Sequence, residues 1–271
     1  MRRVVPLVLA LSLAACAPPH APSLPSGDGA PVSDFASAYT DATRGCTDIR
    51  TFSAVLAMSG KAGRTKLRGR LEAGFSAPAS MRLEGIAPFG KPIFVLTAAD
   101  EHGTLVLTRD NRVLRDSPAA SIVDALVGVP LGAAAMRTIV DGCGTMGGTA
   151  PTAGRGYANG WTAVEFPDHV VYLQRVSDRW RVAAAAQGSL SVFYSDFDEQ
   201  RATTIRLVVQ NGGRVTADIT LRLSQPDVNA AIDASAFTAD VPADADPITL
   251  EDLRRAGPMG EAGSSGAIEL R

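Results

Sequence analysis

Residues 142–147 contain the one match in this sequence to a nucleotide-binding motif. Their sequence, Gly-Cys-Gly-Thr-Met-Gly, fits the G-x-G-x-x-G pattern, and Glu165 follows near the distance at which such sites carry an acidic residue. The pattern binds phosphate only between a strand and a helix, because the helix N-terminus must face the phosphate. Here the glycines follow a predicted helix and lead into more Gly and Pro. The sequence therefore predicts no nucleotide cofactor.

Groups that could act in catalysis or bind a metal are scattered along the chain. His20 lies in a proline-rich stretch, His102 and His169 fall at predicted strand edges or turns, and no G-x-S-x-G motif is present. Two acidic clusters could hold a cation, but a solvated turn is the simpler interpretation of each. They comprise Asp196, Asp198 and Glu199, and Asp240, Asp244 and Asp246. We therefore predict no enzyme activity, no metal and no cofactor.

Residues 1–16 have the features of a secretory leader that ends in a cysteine. Two arginines precede an apolar segment, residues 4–13, which is too short to span a membrane. The ending Leu13-Ala14-Ala15-Cys16 resembles the lipobox of bacterial lipoproteins, which implies cleavage after residue 15 and acylation of Cys16, palmitate included. An ordinary signal peptide with an incidental cysteine is the alternative. Ala17 follows where a retention signal has Asp, so we expect an outer-membrane anchor with the protein facing the periplasm.

The composition is that of a foldable, mildly acidic chain once this leader is removed. Cleavage takes away Arg2 and Arg3 and leaves 24 of the 26 basic residues against 28 acidic ones. That balance argues against nucleic acid as a partner, which requires a basic excess. With 46% hydrophobic residues, the 271-residue chain has ample apolar content for a core. Residues 16–32 are rich in Pro, Ser and Gly and predict a flexible linker, and residues 256–271 predict a disordered tail.

Cys46 and Cys143 are the two cysteines that remain beside Cys16. An oxidising compartment outside the cytoplasm permits a disulfide, and two cysteines have a single intramolecular pairing. We therefore predict a Cys46–Cys143 disulfide, with two buried free thiols as the alternative. Redox catalysis is not expected, because the chain has no Cys-x-x-Cys motif.

The pattern of residues 33–255 predicts one α+β domain that is mainly antiparallel β. From residue 51 onward apolar and polar residues alternate with a period of two, which is typical of strands with one buried face. A helical segment, 33–44, precedes this pattern, and a second one, 118–141, interrupts it. Many strands of even spacing without a repeat motif indicate a curved sheet, or unclosed barrel, with short helices covering its concave apolar face.

The alternation also predicts which side chains line the concave face. A sheet wrapped around a few short helices can leave an apolar cavity, and small inward-facing residues such as Gly69 and Ala184 would widen it. The alternative is that these small residues only let helices pack closely. The predicted cavity residues are Leu67, Leu71, Phe75, Leu83, Ile219 and Leu221 on the strands, with Ile122 and Leu126 opposite on a helix.

Residues 82–142 carry a succession of motifs with a more specific meaning. In order they are Leu83-Glu84-Gly85, Ala87-Pro88-Phe89-Gly90, the stretch 119–131 that ends Gly-Val-Pro-Leu, and the stretch 136–142 with Met-Arg before a Gly. Their order and spacing resemble the outer-membrane lipoprotein receptors of the LolB type and related lipoproteins of the LolA/LolB superfamily, over about a quarter of the chain. Phe89 stands where those receptors usually have Leu, and the two cysteines lie outside their pattern. The resemblance therefore supports the superfamily more strongly than receptor identity.

This resemblance implies an unclosed barrel that binds lipoprotein acyl chains inside, and a membrane contact at the Pro88-Phe89-Gly90 turn. The chain is thus expected to be a lipid-anchored envelope protein that holds lipid or lipoprotein acyl chains. A periplasmic carrier protein is an expected partner, and the protein itself is expected to be a monomer. The alternative is a structural or sensory lipoprotein that has no lipid cargo and acts through a protein partner.

Overall fold

The structure is a computed structural model, and it describes residues 23–86, 92–144, 149–198 and 201–256. These residues form one curved, mainly antiparallel sheet of 15 strands with four short helices. The curved antiparallel sheet covered by short helices is the fold class that the sequence predicted. Within the described ranges, no helix combines the length and the apolar character needed to cross a membrane.

The strands follow one another as a meander over most of the chain. Their bounds are β1 Ala30–Pro31, β2 Thr51–Ala62, β3 Thr65–Ser76, β4 Ser80–Gly85, β5 Phe94–Ala99, β6 His102–Leu107, β7 Arg112–Pro118, β8 Ala153–Gly156, β9 Thr162–Glu165, β10 Val170–Val176, β11 Arg179–Gln187, β12 Leu190–Phe197, β13 Ala202–Asn211, β14 Arg214–Val228 and β15 Asp246–Pro247.

The order of strands across the sheet is β1-β8-β9-β10-β11-β12-β13-β14-β2-β3-β4-β5-β6-β7-β15. Every pairing is antiparallel except that of β15 with β7. The long strands β14 and β2 bring the two halves of the meander together at the centre of the sheet. The two-residue strands β1 and β15 form its edges, so the barrel is unclosed among the described strands.

Side-chain alternation gives the sheet its apolar concave face. In β3, Leu67, Leu71 and Phe75 are buried, whereas Arg68 and Glu72 are exposed. Successive side chains of a strand point to opposite faces, so one face of β3 enters the core and the other meets water. The same pattern in β2 and β14 extends this division across the central strands.

Four helices cover the concave face and one edge of the core. Their bounds are α1 Phe35–Ala42, α2 Ala119–Val127, α3 Ala133–Val140 and α4 Leu250–Ala256. Helix α1 packs on the part of the sheet around β9 and β11, with the Tyr39 ring 5.2 Å from that of Phe166. Helix α2 lies against β6 and β7, and α3 lies against β3 and β4.

The strand registers define two ends of the sheet. The tether end carries Ala30, where the N-terminal segment joins the sheet, and the β3–β4, β5–β6, β10–β11 and β12–β13 connections. The far end carries the β2–β3, β6–β7, β11–β12 and β13–β14 connections. Because the strands are antiparallel, alternate connections fall at opposite ends.

Several elements depart from the sequence pattern. Strand β8 forms within a stretch rich in Gly and Pro that has no strand-like alternation, and β7 occupies residues 112–118 just before the α2 helix. Strand β1 pairs with β8 within the predicted linker, and α4 extends to residue 256. Strands β1 and β8 are short, so they depend on partners distant in sequence more than on their own periodicity.

Candidate functional site

An apolar cavity lies between the centre of the sheet and the α2–α3 segment. Its lining comes from six strands of both halves of the meander, from the two helices and from the linker between them. All 15 lining side chains are apolar: Leu56, Met58, Leu71, Leu83, Phe94, Leu96, Val123, Leu126, Val127, Val129, Leu131, Met136, Leu207, Ile219 and Leu221. Such a cavity can hold hydrocarbon but offers no group that could do chemistry.

The cavity is small in this conformation. Its volume of about 50 Å³ is room for about four groups the size of a water molecule or a methylene. A lipid acyl chain is several times larger. The concave face is therefore largely filled by the protein's own side chains, and a chain could enter only if some of them moved.

Five of the eight cavity residues predicted from the sequence line this space: Leu71, Leu83, Leu126, Ile219 and Leu221. The other three are buried but lie elsewhere in the core, which corrects the prediction. Leu67 and Phe75 lie toward the two ends of β3, beyond Leu71. Ile122 packs on Gly103, where a Cβ would lie 3.2 Å from its Cδ1. Alternation predicts the face on which a side chain lies but not its height along the strand.

The α2–α3 linker, residues 128–132, closes part of the cavity and was missed by the alternation argument. Val129 and Leu131 are buried at 0% and 3% exposure and contribute to the lining. Gly128 ends α2 with φ +72°, and a Cβ there would lie 3.1 Å from the Cβ of Ala62. The signal in the sequence was two apolar residues flanked by Gly and Pro between helices, where a solvent loop would be polar.

A second cleft, more polar than the first, lies beside the disulfide. Cys46 and Cys143 are bonded, with Cα atoms 5.8 Å apart, so the pairing favoured by the sequence is the one in the structure. The cleft has a volume of about 670 Å³, and its lining includes Arg179, Arg201 and Asp141. It combines charges of both signs and contains no nucleophile paired with a base among its lining residues.

Asp141 is the buried ionisable group of this region. One carboxylate oxygen accepts a hydrogen bond from the Cys143 N–H (3.0 Å), and the other lies 3.5 Å from Nη1 of Arg137. Burial nevertheless raises the pKa of Asp141 to about 7, because the side chain is only 1% exposed. Burial likewise raises the pKa of the neighbouring Tyr194 hydroxyl above its usual range.

The two histidines that could act in catalysis, His102 and His169, each lie beside an aspartate. Nδ1 of His102 lies 2.9 Å from Asp116, and Nδ1 of His169 lies 2.8 Å from Asp168. The His169 ring also stacks on Phe166 at 4.3 Å between centroids. No group of three His, Cys, Asp or Glu residues in the described ranges could hold a metal ion.

The other sequence candidates are only partly within the described residues. Gly142 and Gly144 follow α3, so the glycine motif does not begin after a strand, and residues 145–148 lie outside the described ranges. Cys16, Glu199 and the Pro88-Phe89-Gly90 turn also lie outside them. The turn belongs to the connection between β4 and β5.

No protein-family model matches the chain, and no curated protein matches its sequence. In structure it is similar to a DUF1329 family protein from Desulfovibrio piger, with a TM-score of 0.51, 12% identity and coverage of 74% of this chain and 95% of that chain. The likeness is one of fold.

Two further structures are similar at lower TM-scores. A LolA superfamily protein from Nitrosomonas europaea has a TM-score of 0.48 and 12% identity, covering 75% of this chain and 96% of that one. A domain described as an outer membrane lipoprotein-sorting protein, from Vibrio parahaemolyticus, has a TM-score of 0.45 and 11% identity, covering 70% and 89%.

Proposed function

We propose that this protein is a lipid-anchored, non-enzymatic envelope protein of the LolA/LolB type that binds one acyl chain of a lipid or lipoprotein. The observation that carries the proposal is the wholly apolar cavity at the centre of the concave face. Affinity would come from burial of the chain, at about 0.8 kcal/mol per methylene. Few polar anchors are needed for such a ligand, which agrees with the absence of polar side chains among the lining residues.

The α2–α3 linker is proposed to act as a plug that an acyl chain displaces. Val129 and Leu131 occupy the apolar space that the chain would fill. Replacing two buried apolar side chains with a chain of methylenes conserves most of the buried apolar area, so the exchange requires little free energy. Gly128 and Gly132 flank the plug and can absorb the backbone change.

A structural or sensory lipoprotein without cargo is the rival function. The observation that favours it is the small volume of the cavity, about 50 Å³. Native mass spectrometry of the mature chain with Cys16→Ser, secreted into an oxidising compartment, separates the two functions. Co-purifying lipid, or uptake of a fluorescent fatty acid, supports the acyl-chain proposal. Protein that stays free of lipid and takes up no fatty acid supports the rival.

Placing an amide in the cavity should weaken acyl-chain binding. Leu71→Asn adds a polar group without a partner to the lining, and we expect the affinity for a fluorescent fatty acid to fall about tenfold or more. Leu67→Asn is the matched control, because Leu67 is buried on the same face of the same strand but does not line the cavity. Leu67→Asn should lower the free energy of unfolding by a similar amount. The fatty-acid affinity of its folded fraction should stay within about twofold of that of the parent protein.

A second variant keeps this prediction testable if both strand variants fold poorly. Val127 lines the cavity and is only half-buried, so Val127→Asn should disturb folding less than a change at Leu71. Its fatty-acid affinity should also fall. Equal affinities for Leu71→Asn, Val127→Asn and the parent protein would show that the chain does not bind in this cavity.

Cys16 should be the mature N-terminus and the site of acylation. Cells grown with an alkyne analogue of palmitate should label the wild-type protein, and its N-terminal peptide should carry the mass of attached acyl chains. Cys16→Ala should abolish the label, while Cys46→Ser should retain it because Cys46 lies in the folded domain. Labelling that persists in Cys16→Ala would place the anchor elsewhere.

A further inference from the structure

The β2–β3 hairpin concentrates positive charge in a protein whose net charge is −2. Residues 61–70 contain five cationic side chains and no acidic one. Arg222 on β14 lies beside them. Together these six residues define a cationic surface: Lys61, Arg64, Lys66, Arg68, Arg70 and Arg222.

The strand registers make this surface continuous on the convex side of the sheet. Lys61 lies opposite Lys66 across the β2–β3 pair, and Ala57 of β2 lies between Arg70 and Arg222. All six cationic residues are exposed. The outward-facing positions between them carry small side chains such as Ala57 and Ser59, so the long cationic side chains extend beyond their neighbours.

Little of this charge is neutralised inside the protein. None of the six residues takes part in a salt bridge among the described residues. The carboxylate nearest to Lys61 across the sheet is that of Asp218, and Arg206 already holds it through two hydrogen bonds of 2.8 Å. Glu72, the next outward-facing residue of β3, marks the boundary of the surface.

We propose that this cationic surface docks the domain onto a bilayer that carries anionic headgroups. Protein interfaces are enriched in Arg, but they also take their binding energy from buried aromatic and large apolar anchors. The cationic surface has neither an aromatic nor a large apolar residue between its charges. Dispersed Lys and Arg side chains without such anchors instead match a plane of mobile anionic headgroups, where each cation adds to the attraction.

One feature of the fold agrees with this docking. Val215 at the far end is the one large hydrophobic residue that is exposed within the described residues, at 45%, and it follows Arg214 in the β13–β14 turn region.

The N-terminal anchor permits the far end to face the membrane, although the N-terminal segment joins the sheet at the opposite end. The 14 residues from Cys16 to Ala30 span up to about 45 Å when extended. The 12 residues of β2 span about 40 Å. The tether is therefore long enough for the far end to turn toward the membrane. The docking does not depend on whether the cavity holds a lipid.

Vesicle binding of the mature chain with Cys16→Ser tests the proposal without an acyl anchor. The described core residues lie between Ala38 and Leu253, so this chain retains them all. It should bind phosphatidylcholine vesicles that contain about one third phosphatidylglycerol, and added salt should release it. Binding to pure phosphatidylcholine vesicles should be much weaker. The double variant Arg68→Glu, Arg70→Glu should lower binding to the anionic vesicles by about tenfold or more.

The control is a matched charge reversal at the tether end. Arg175→Glu, Arg179→Glu changes two exposed arginines of the β10–β11 hairpin and should leave vesicle binding within about twofold. Circular dichroism and the thermal midpoint show whether each variant is folded. Equal losses in both double variants, or unchanged binding in Arg68→Glu, Arg70→Glu, would overturn the proposal. Binding to soluble polyglutamate without binding to vesicles would also overturn it, in favour of an acidic protein partner.

Discussion

Replacing Cys46 and Cys143 together by serine should lower the free energy of unfolding by about 4 kcal/mol. The disulfide joins residues 97 positions apart, so it removes much of the freedom of the unfolded chain. It also ties the turn after α1 to the segment after α3, and no strand pairing connects these two segments directly. The effect is a substantial share of the stability of an ordinary domain.

Urea unfolding of the mature chain, followed by circular dichroism, measures this effect. The wild-type protein in a reducing buffer should unfold at the same urea concentration as the double serine variant in the absence of reductant. Cys16→Ser serves as the control and should leave the midpoint unchanged, because Cys16 precedes the folded domain. A double variant within about 0.5 kcal/mol of the parent would show that the disulfide contributes nothing to stability.

The stability should also fall as the pH rises from about 4 to 7, through the ionisation of Asp141. Its pKa is raised by burial from an ordinary 3.8 to about 7 in the folded protein. The folded state therefore binds a proton that the unfolded state has released over this range, so stability is highest below pH 4 and is lost as the pH approaches 7. The loss from this group amounts to about 4 kcal/mol and levels off above pH 7.

Comparison with Asp141→Asn isolates this contribution from those of other carboxylates. The hydrogen bond from Arg206 is the main cause of the lowered pKa of Asp218. Asp218 therefore contributes stability that is lost as the pH falls below about 4, which is the opposite of the trend for Asp141. The difference in unfolding free energy between wild type and Asp141→Asn should therefore change by about 3 kcal/mol between pH 4 and 7. Asp178→Asn, at an exposed turn, should show no such change. A constant difference for Asp141→Asn would mean that Asp141 is ionised in the folded protein throughout this range.

The strand character and the buried face of the central sheet were predictable from the sequence. The alternation in β3 and β14 predicted which side chains enter the core, because a strand has a strict period of two and only one face of this sheet is buried. The apolar stripes of the helical segments predicted the cover on the concave face. The compartment implied by the leader and the count of two remaining cysteines favoured the one disulfide that the structure contains.

The space that remains inside the protein, and the groups that meet there, depend on packing between distant segments. The near closure of the cavity depends on Val129 and Leu131, whose irregular backbone has no period from which burial could be predicted. Asp141 has the sequence neighbourhood of a solvated helix end, and its burial results from packing against the disulfide and Arg137.

The edge strands and the cationic surface also depend on residues distant in sequence. Strands β1 and β15 consist of two residues each, and they form only because β8 and β7 offer unpaired backbone groups at the sheet edges. The β2–β3 hairpin carries its charge run locally, but Arg222 joins it only through the pairing of β14 with β2. Periodicity within a segment determines its type and its buried face, whereas long-range pairing and packing determine which segments meet and what volume is left between them.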